Sequence, residues 1–167
     1  MKKKSQAKAV EEDGLKVNEK KWTKLLMDAG WTVVPNVFLD RQKAFGLDPI
    51  DINILLHLFS YWWSHGTKPH PSKKTIAQAM GIDARTVQRH IARLEKADLV
   101  RREERRISNV GSKSNIYHFD GLIKAAKPFA QEMLQLKSEK IAAKQAIRAK
   151  KGKPKLTVVK NDNEDDE

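Results

Sequence analysis

No cysteine occurs in the 167 residues, which excludes disulfides, thiolate zinc sites and a thiol nucleophile. No apolar run approaches the ~20 residues that span a bilayer. The basic start MKKKSQAKAVEED lacks the apolar segment of a signal peptide, so the expected compartment is the cytoplasm. Glycines such as Gly81 and Gly111 stand singly, leaving no phosphate-cradling loop and no Walker pattern. The histidines are His57, His65, His70, His90 and His118. His65 and His70 share a loop, but no third ligand lies near them in sequence, and zinc needs three or four converging. Acids cluster only at the chain ends or beside arginines. The expectation is therefore no catalytic residue, no metal, no cofactor and no enzyme.

Negative charge is also in short supply. Asp plus Glu number 21 against 33 Lys plus Arg, a formal net charge of +12. Such an excess favours a polyanionic partner. An anionic membrane surface would suit the charge, but no amphipathic segment pairs lysines with a broad, bulky apolar face. The 40% hydrophobic content supports a core, while 32% charged residues imply long solvated segments.

What is present centres on Ser72 to Leu99, SKKTIAQAMGIDARTVQRHIARLEKADL. Val87, Ile91 and Leu94 fall at i, i+4 and i+7, one buried stripe of a helix. Ile76, Met80 and Ile82 are apolar in the segment before it, and Ala77 is small where two helices must cross closely. Gly81 can take the positive φ that ends one helix, and Asp83 can cap the next. This is a helix-turn-helix plan, whose second helix enters the DNA major groove. A plain helical hairpin with a solvated face is the alternative. Against it, the outer side from Arg85 to Arg93 holds three arginines and a glutamine with no acid. Arginine and glutamine are the side chains that contact guanine and adenine edges bidentately.

The flanks complete a domain plan. Residues 1–14, rich in Lys and Glu, are expected to be disordered. Asn18 to Gly30 reads as one helix capped by Asn18 and stopped by Gly30, with Trp22, Leu25, Leu26 and Ala29 on one face. Residues 15–47 as a whole are expected to be a helix and an arm packed on the core, with Trp31 to Val34 β-prone. Asp48-Pro49 is a helix start, followed by Ile52, Leu55, Leu56, Phe59 and Trp62 at helical spacing to about residue 63. Residues 64–72 form a loop. Val100 to Ile107 and Ile116 to Phe119 are the arms of a hairpin around a turn-rich loop. Residues 48–120 thus form a winged helix-turn-helix: mainly α, a small β-hairpin wing, and flanking N- and C-terminal helices. A domain of ~60 residues buries only ~60% of its unfolded surface, so Trp22, Trp31, Phe38, Leu122, Phe129 and Met133 are expected to complete its core. Residues 121–150 form a helical extension. There Leu122, Phe129 and Leu136 repeat by seven, as do Ala126, Met133 and Ile147 with Lys140 breaking the row. This pattern suits either a homodimer seam or docking on the same chain. Pro128 should kink that helix or begin a new one. Residues 151–167 are expected to be a disordered tail, with five acids and no base from Asn161 onward.

The stretch TIAQAMGIDARTVQRHIARLEKADLV resembles the helix-turn-helix and start of the wing in bacterial winged-helix DNA-binding proteins. The likeness is to a group found in phage, plasmid and chromosomal regulators and replication-associated proteins. It extends over about residues 33–120, with VPNVFLDRQKAFGLDPIDINILLHLFSYWW before the motif and KPHPS leading into it. The resemblance implies that Arg85, Thr86, Gln88 and Arg89 face the groove. Aspartate stands at 98 where such proteins usually have glycine.

The resulting expectation is a binder of double-stranded DNA. Arg85, Gln88 and Arg89 are assigned to bases. Ser72, Lys73, Lys74, Thr86, Arg93, Arg105, Arg106 and Lys113 are assigned to phosphates. The role is that of a sequence-specific transcriptional regulator. The alternatives are a replication or partition protein of a mobile element, or a protein–protein adaptor.

Overall fold

The computed structural model describes residues 16–64, 66–107 and 111–149. The expectations for residues 1–14 and 151–167, for His65 and for wing residues 108–110 lie outside that set, as does the side chain of Arg106. Helix α1 covers residues 16–22, followed by α2 (Lys24–Asp28), α3 (Val37–Asp40), α4 (Pro49–Ser60), α5 (Lys73–Met80) and α6 (Ala84–Lys96). Strands β1 (Arg101–Ile107) and β2 (Gly111–His118) come next, then α7 (Asp120–Ala149). The chain divides after Phe129 into two units; the first holds every element up to the opening third of α7.

Each helix of the central motif begins and ends for a local chemical reason. At the start of α4 the Asp48 carboxylate accepts the Asp51 N–H and the Asp51 carboxylate accepts the Asp48 N–H, a reciprocal capping box, with Pro49 in the first turn. Ser72 Oγ accepts the Thr75 N–H at the start of α5, and Asp83 accepts the Arg85 N–H at the start of α6. Gly81 ends α5 at φ +64. There the Ile82 N–H reaches the Ala77 carbonyl and the Gly81 N–H the Gln78 carbonyl, the Schellman arrangement.

The same arrangement ends α6 at Asp98, with bonds from the Leu99 N–H to Leu94 and from the Asp98 N–H to Glu95. Asp98 therefore stands at φ +55, a left-handed conformation that carries a penalty in any residue with a Cβ. Its charge also lies at the negative end of a helix dipole. Asp98→Gly is expected to raise stability by about 0.5–1 kcal/mol, part of the relief being offset by the greater freedom of glycine in the unfolded chain. Thermal melting of the two proteins measures the difference.

Helix α4 packs on α5 and α6, and α5 packs on α6. The centre is built from Ile54, Leu55 and Leu58, Ile76 and Ala77, and Val87, Ile91 and Leu94, all buried. The α6 stripe lies as the periodicity places it. On α4 the buried line is Asp51, Ile54, Leu55 and Leu58, whereas Ile52 is half-buried and Leu56 exposed. The helix is rolled from its expected face because Asp51, a carboxylate with polar partners, occupies a core position. Helix α4 stops at Ser60, with Tyr61 as its C-cap, short of the expected residue 63.

Strands β1 and β2 pair antiparallel from Arg101↔His118 to Ile107↔Gly111, with an irregularity between Glu103 and Arg105. Tyr117 is buried, and its N–H binds the Pro69 carbonyl at 2.9 Å, tying the loop before α5 to the hairpin. The base of β1 is held to α6 through Arg102, whose N–H reaches Glu95 Oε1 at 3.2 Å and whose guanidinium lies 3.3 Å from Glu95 Oε2. Helix α7 then docks Leu122 and Ala126 into the core. Gly121 lies so close to the Asp98 carbonyl that a Cβ there would collide with backbone.

Several expectations are corrected. Residues 16–30 are not one helix: the chain breaks at Thr23, φ +69, between α1 and α2. Asn18 lies inside α1 and is no cap. Residues 31–34 form no strand. Trp22 (52% exposed) and Trp31 (47%) do not complete the core. Their place beside Phe38 is taken by Val37 and Leu47, both buried. A chain of rings runs on from Phe38, to Phe45 and Phe129 on one side and through Phe59 and Phe119 to Trp62 on the other. Phe38 and Leu122 are buried as expected; Phe129 is half-buried, its ring 5.1 Å from that of Phe45. Helix α7 continues through Pro128, and no new helix begins there.

Candidate nucleic-acid interface

Burying the Val87, Ile91 and Leu94 stripe leaves α6 with one solvent-facing side, and 3.6 residues per turn decide what stands on it. Arg85, Gln88, Arg89 and Ala92 are exposed there, with Thr86 half-buried at the edge. These residues and Asp83 line one shallow hollow along the helix. No ion pair among the described residues engages Arg85 or Arg89. Arginine presents a planar fork of donors matched to paired acceptors, and here two such forks stand one turn apart with no acid among the described residues paired to them.

Gln88 is already oriented. Lys73 Nζ, from the first turn of α5, donates to Gln88 Oε1 at 3.0 Å. The carboxamide oxygen keeps a second lone pair, and the NH₂ group keeps both donors. Lys73 is half-buried and Lys74 exposed beside it. Ser72 belongs to the helix cap, its hydroxyl also lying 2.7 Å from Thr75 Oγ1.

Two of the expected phosphate contacts are engaged within the protein. The guanidinium of Arg93 donates to Asp48 Oδ2 at 2.6 Å and also pairs with Asp51. The Arg105 guanidinium donates to the Ser114 carbonyl at 2.9 Å and to the Ser114 hydroxyl at 3.2 Å, across the hairpin. Both are held because a partner lies within reach on a neighbouring element, although the Arg93 side chain stays 48% exposed. Lys113 is exposed on β2. Nearby, His118 Nε2 lies 2.8 Å from Glu103 Oε2, joining the strands at the hairpin base.

Sequence reasoning missed a buried polar cluster on the flank of α6. Asp51 is 0% exposed and His90 7%. His90 Nδ1 lies 2.8 Å from Asp51 Oδ1 and 3.7 Å from Asp48 Oδ2. His90 is packed against the start of α4. The available signal was an aspartate three residues after an N-cap, on the same helical line as Ile54, Leu55 and Leu58. The ligand atoms of Asp48, Asp51 and His90 lie within 4.8 Å of one another, a grouping that could hold a metal ion. The fit fails on charge. The Arg93 guanidinium already contacts both carboxylates, and a dication would face it at close range.

Three helices, the second and third joined by a tight turn, followed by an antiparallel hairpin and with an open arginine-bearing face on the third, define a winged helix-turn-helix domain. Residues 46–100 match the family model of a helix-turn-helix domain. Among solved structures, the chain is similar to the N-terminal domain of the DnaD protein from Geobacillus kaustophilus HTA426. The identity is 19% and the TM-score 0.49, over 71% of this chain and 96% of that one. It is also similar to a possible transcriptional regulator from Methanosarcina mazei Go1. There the identity is 17% and the TM-score 0.38, over 66% of this chain and 85% of that one. No curated protein matches. No helix among the described residues is long and apolar enough to cross a membrane.

Proposed function

We propose that this protein binds double-stranded DNA sequence-selectively and acts as a transcriptional regulator, with α6 in the major groove. One observation carries the reading: Arg85 and Arg89 stand exposed on the same side of α6, one turn apart, with no acid among the described residues paired to them. Gln88 lies between them, pre-oriented by Lys73. In this reading Arg85, Gln88 and Arg89 meet base edges. Lys73, Lys74 and Thr86 grip the flanking phosphates, and Lys113 and Arg106 bring the wing to the backbone. Arg93, Arg105 and Ser72 leave the contact set, because their polar groups already serve the protein's own structure. The reading assigns no catalytic step.

Phosphate contacts release counterions, so binding is expected to weaken by orders of magnitude between ~50 and ~200 mM salt. Lys74→Ala is expected to lower affinity for all duplexes alike and to reduce the salt slope by about one. Fluorescence anisotropy on two unrelated duplexes across a salt series measures both, and a flat salt response would reject the phosphate grip. Footprinting on selected DNA separates the roles: a site over a promoter supports regulation, and repeated sites in an origin support replication. A second copy joined through α7 would meet exposed Leu134, Leu136, Ile141 and Ile147. Leu122 and Ala126, two members of the expected seam, are buried within the chain's own core. A homodimer so formed would face half-sites ~34 Å apart, or a multiple of that, and sedimentation at micromolar concentration tests for it.

A further inference from the structure

The buried contact between α4 and α6 has a chemistry out of keeping with its surroundings. The rest of the contact between these two helices is apolar: Val87, Ile91 and Leu94 against Ile54, Leu55 and Leu58. Apolar burial is non-directional. A stripe of aliphatic side chains resists withdrawal from the core but only weakly resists a small roll of the helix about its own axis. Hydrogen bonds have preferred lengths and angles, and one on the flank of a helix opposes such a roll. His90 and Arg93 occupy that flank, three residues apart and therefore on one side of α6. Both reach the same two residues, Asp48 and Asp51, at the first turn of α4. Asp51 is itself immobilised, because its second oxygen accepts the Asp48 N–H of the capping box. The tie therefore runs from the rigid end of one helix to the middle of the other.

We infer that His90, held by Asp51, is a positioning residue for DNA recognition: the His90–Asp51 contact sets the roll of α6 and so the direction in which Arg85, Gln88 and Arg89 project. Base contacts made in bidentate geometry tolerate errors of only about 0.5 Å and 10–20°. Phosphate contacts, made by flexible lysines to a uniform backbone, tolerate more. The consequence is specific. Loosening the tie erodes discrimination between sequences and leaves general affinity for duplex DNA in place.

This inference rests on the base-contact reading of α6, and the experiment separates the two. A binding sequence is selected with the full-length wild-type chain from a random duplex pool. Affinities for that duplex and for an unrelated one of equal length are then measured for the wild type, His90→Leu and His90→Asn. Circular dichroism at the assay temperature confirms that each protein is folded. His90→Leu is expected to lower the ratio of the two affinities at least tenfold, with the affinity for the unrelated duplex changed less than twofold. His90→Asn, which keeps a donor near the position of Nδ1, is expected to recover most of the ratio. A His90→Leu protein with lowered melting temperature and an unchanged ratio would overturn the inference, leaving the tie merely structural. A wild-type ratio near one would overturn base recognition itself. Should His90→Leu not fold, Arg93→Gln removes the second tie to the same carboxylates. A fall in its ratio supports positioning, and an equal loss on both duplexes with an unchanged ratio counts against it.

Discussion

Replacing Arg89 with alanine is expected to abolish the sequence preference of this protein at one base pair of its site. A bidentate arginine–base contact carries about 1–3 kcal/mol of discrimination against the wrong base, or roughly five- to 150-fold in affinity ratio at one position. The side chain is exposed on α6, so the loss is not confounded by a cavity or a broken core contact, and surface changes of this kind usually alter stability by less than about 0.5 kcal/mol. The measurement is a competition series in which each base pair of a selected site is varied in turn. Wild-type protein should discriminate at the pair opposite Arg89, and Arg89→Ala should accept all four pairs there while other positions keep their preference. Equal weakening on every duplex would mean that Arg89 meets phosphate.

Truncating Asp51 is expected to have the largest effect on stability. Its carboxylate is fully buried and serves three donors: His90, Arg93 and the N–H of Asp48. Asp51→Ala leaves two cationic or polar side chains and one helix-terminal N–H without their acceptor. Breaking a buried pair from one side typically costs about 3–5 kcal/mol, a large share of the ~5–15 kcal/mol that holds a domain of ordinary stability. Thermal or urea unfolding should show this as a much earlier transition. The double change Asp51→Leu with His90→Leu should cost less than the sum of the two single changes, because it removes donor and acceptor together. Strict additivity would show that the two side chains do not stabilise one another.

The two outcomes draw on different parts of one helix. Arg85, Gln88 and Arg89 stand outward because Val87, Ile91 and Leu94 must stand inward, and that relation is written in the spacing of apolar residues. The turn before α6 is equally local: Gly81 supplies a positive φ and Asp83 the cap within three residues. These features are legible from sequence because each depends on residues a few positions apart. The α4 face was harder. Counting only hydrophobic residues favoured Ile52 and Leu56, whereas the buried line runs through Asp51. An aspartate becomes a core residue only when donors from elsewhere meet it, and its main partner is 39 positions away in the chain.

The arginines show the same limit. Arg85, Arg89, Arg93 and Arg105 look alike in a string of letters, and charge counting treats them as one basic surface. In the folded chain Arg93 reaches an aspartate 45 positions back, and Arg105 reaches the opposite strand of its hairpin. The tryptophans err in the other direction. Trp22 and Trp31 are the residues hydrophobicity would bury first, yet they lie half exposed, since α3 and α7 already supply the apolar material that closes the core.

Sequence by itself determined the helix-turn-helix with its wing, the caps at Asp48 and Asp83, the left-handed turn at Gly81, and the direction of the arginine face, because backbone geometry and apolar periodicity act over a handful of residues. Only the tertiary structure decided which cations remain available to a partner, which carboxylate lies in the core and what it holds. Ion pairing and burial depend on distances between segments far apart in the chain, and those distances exist only once the helices have packed.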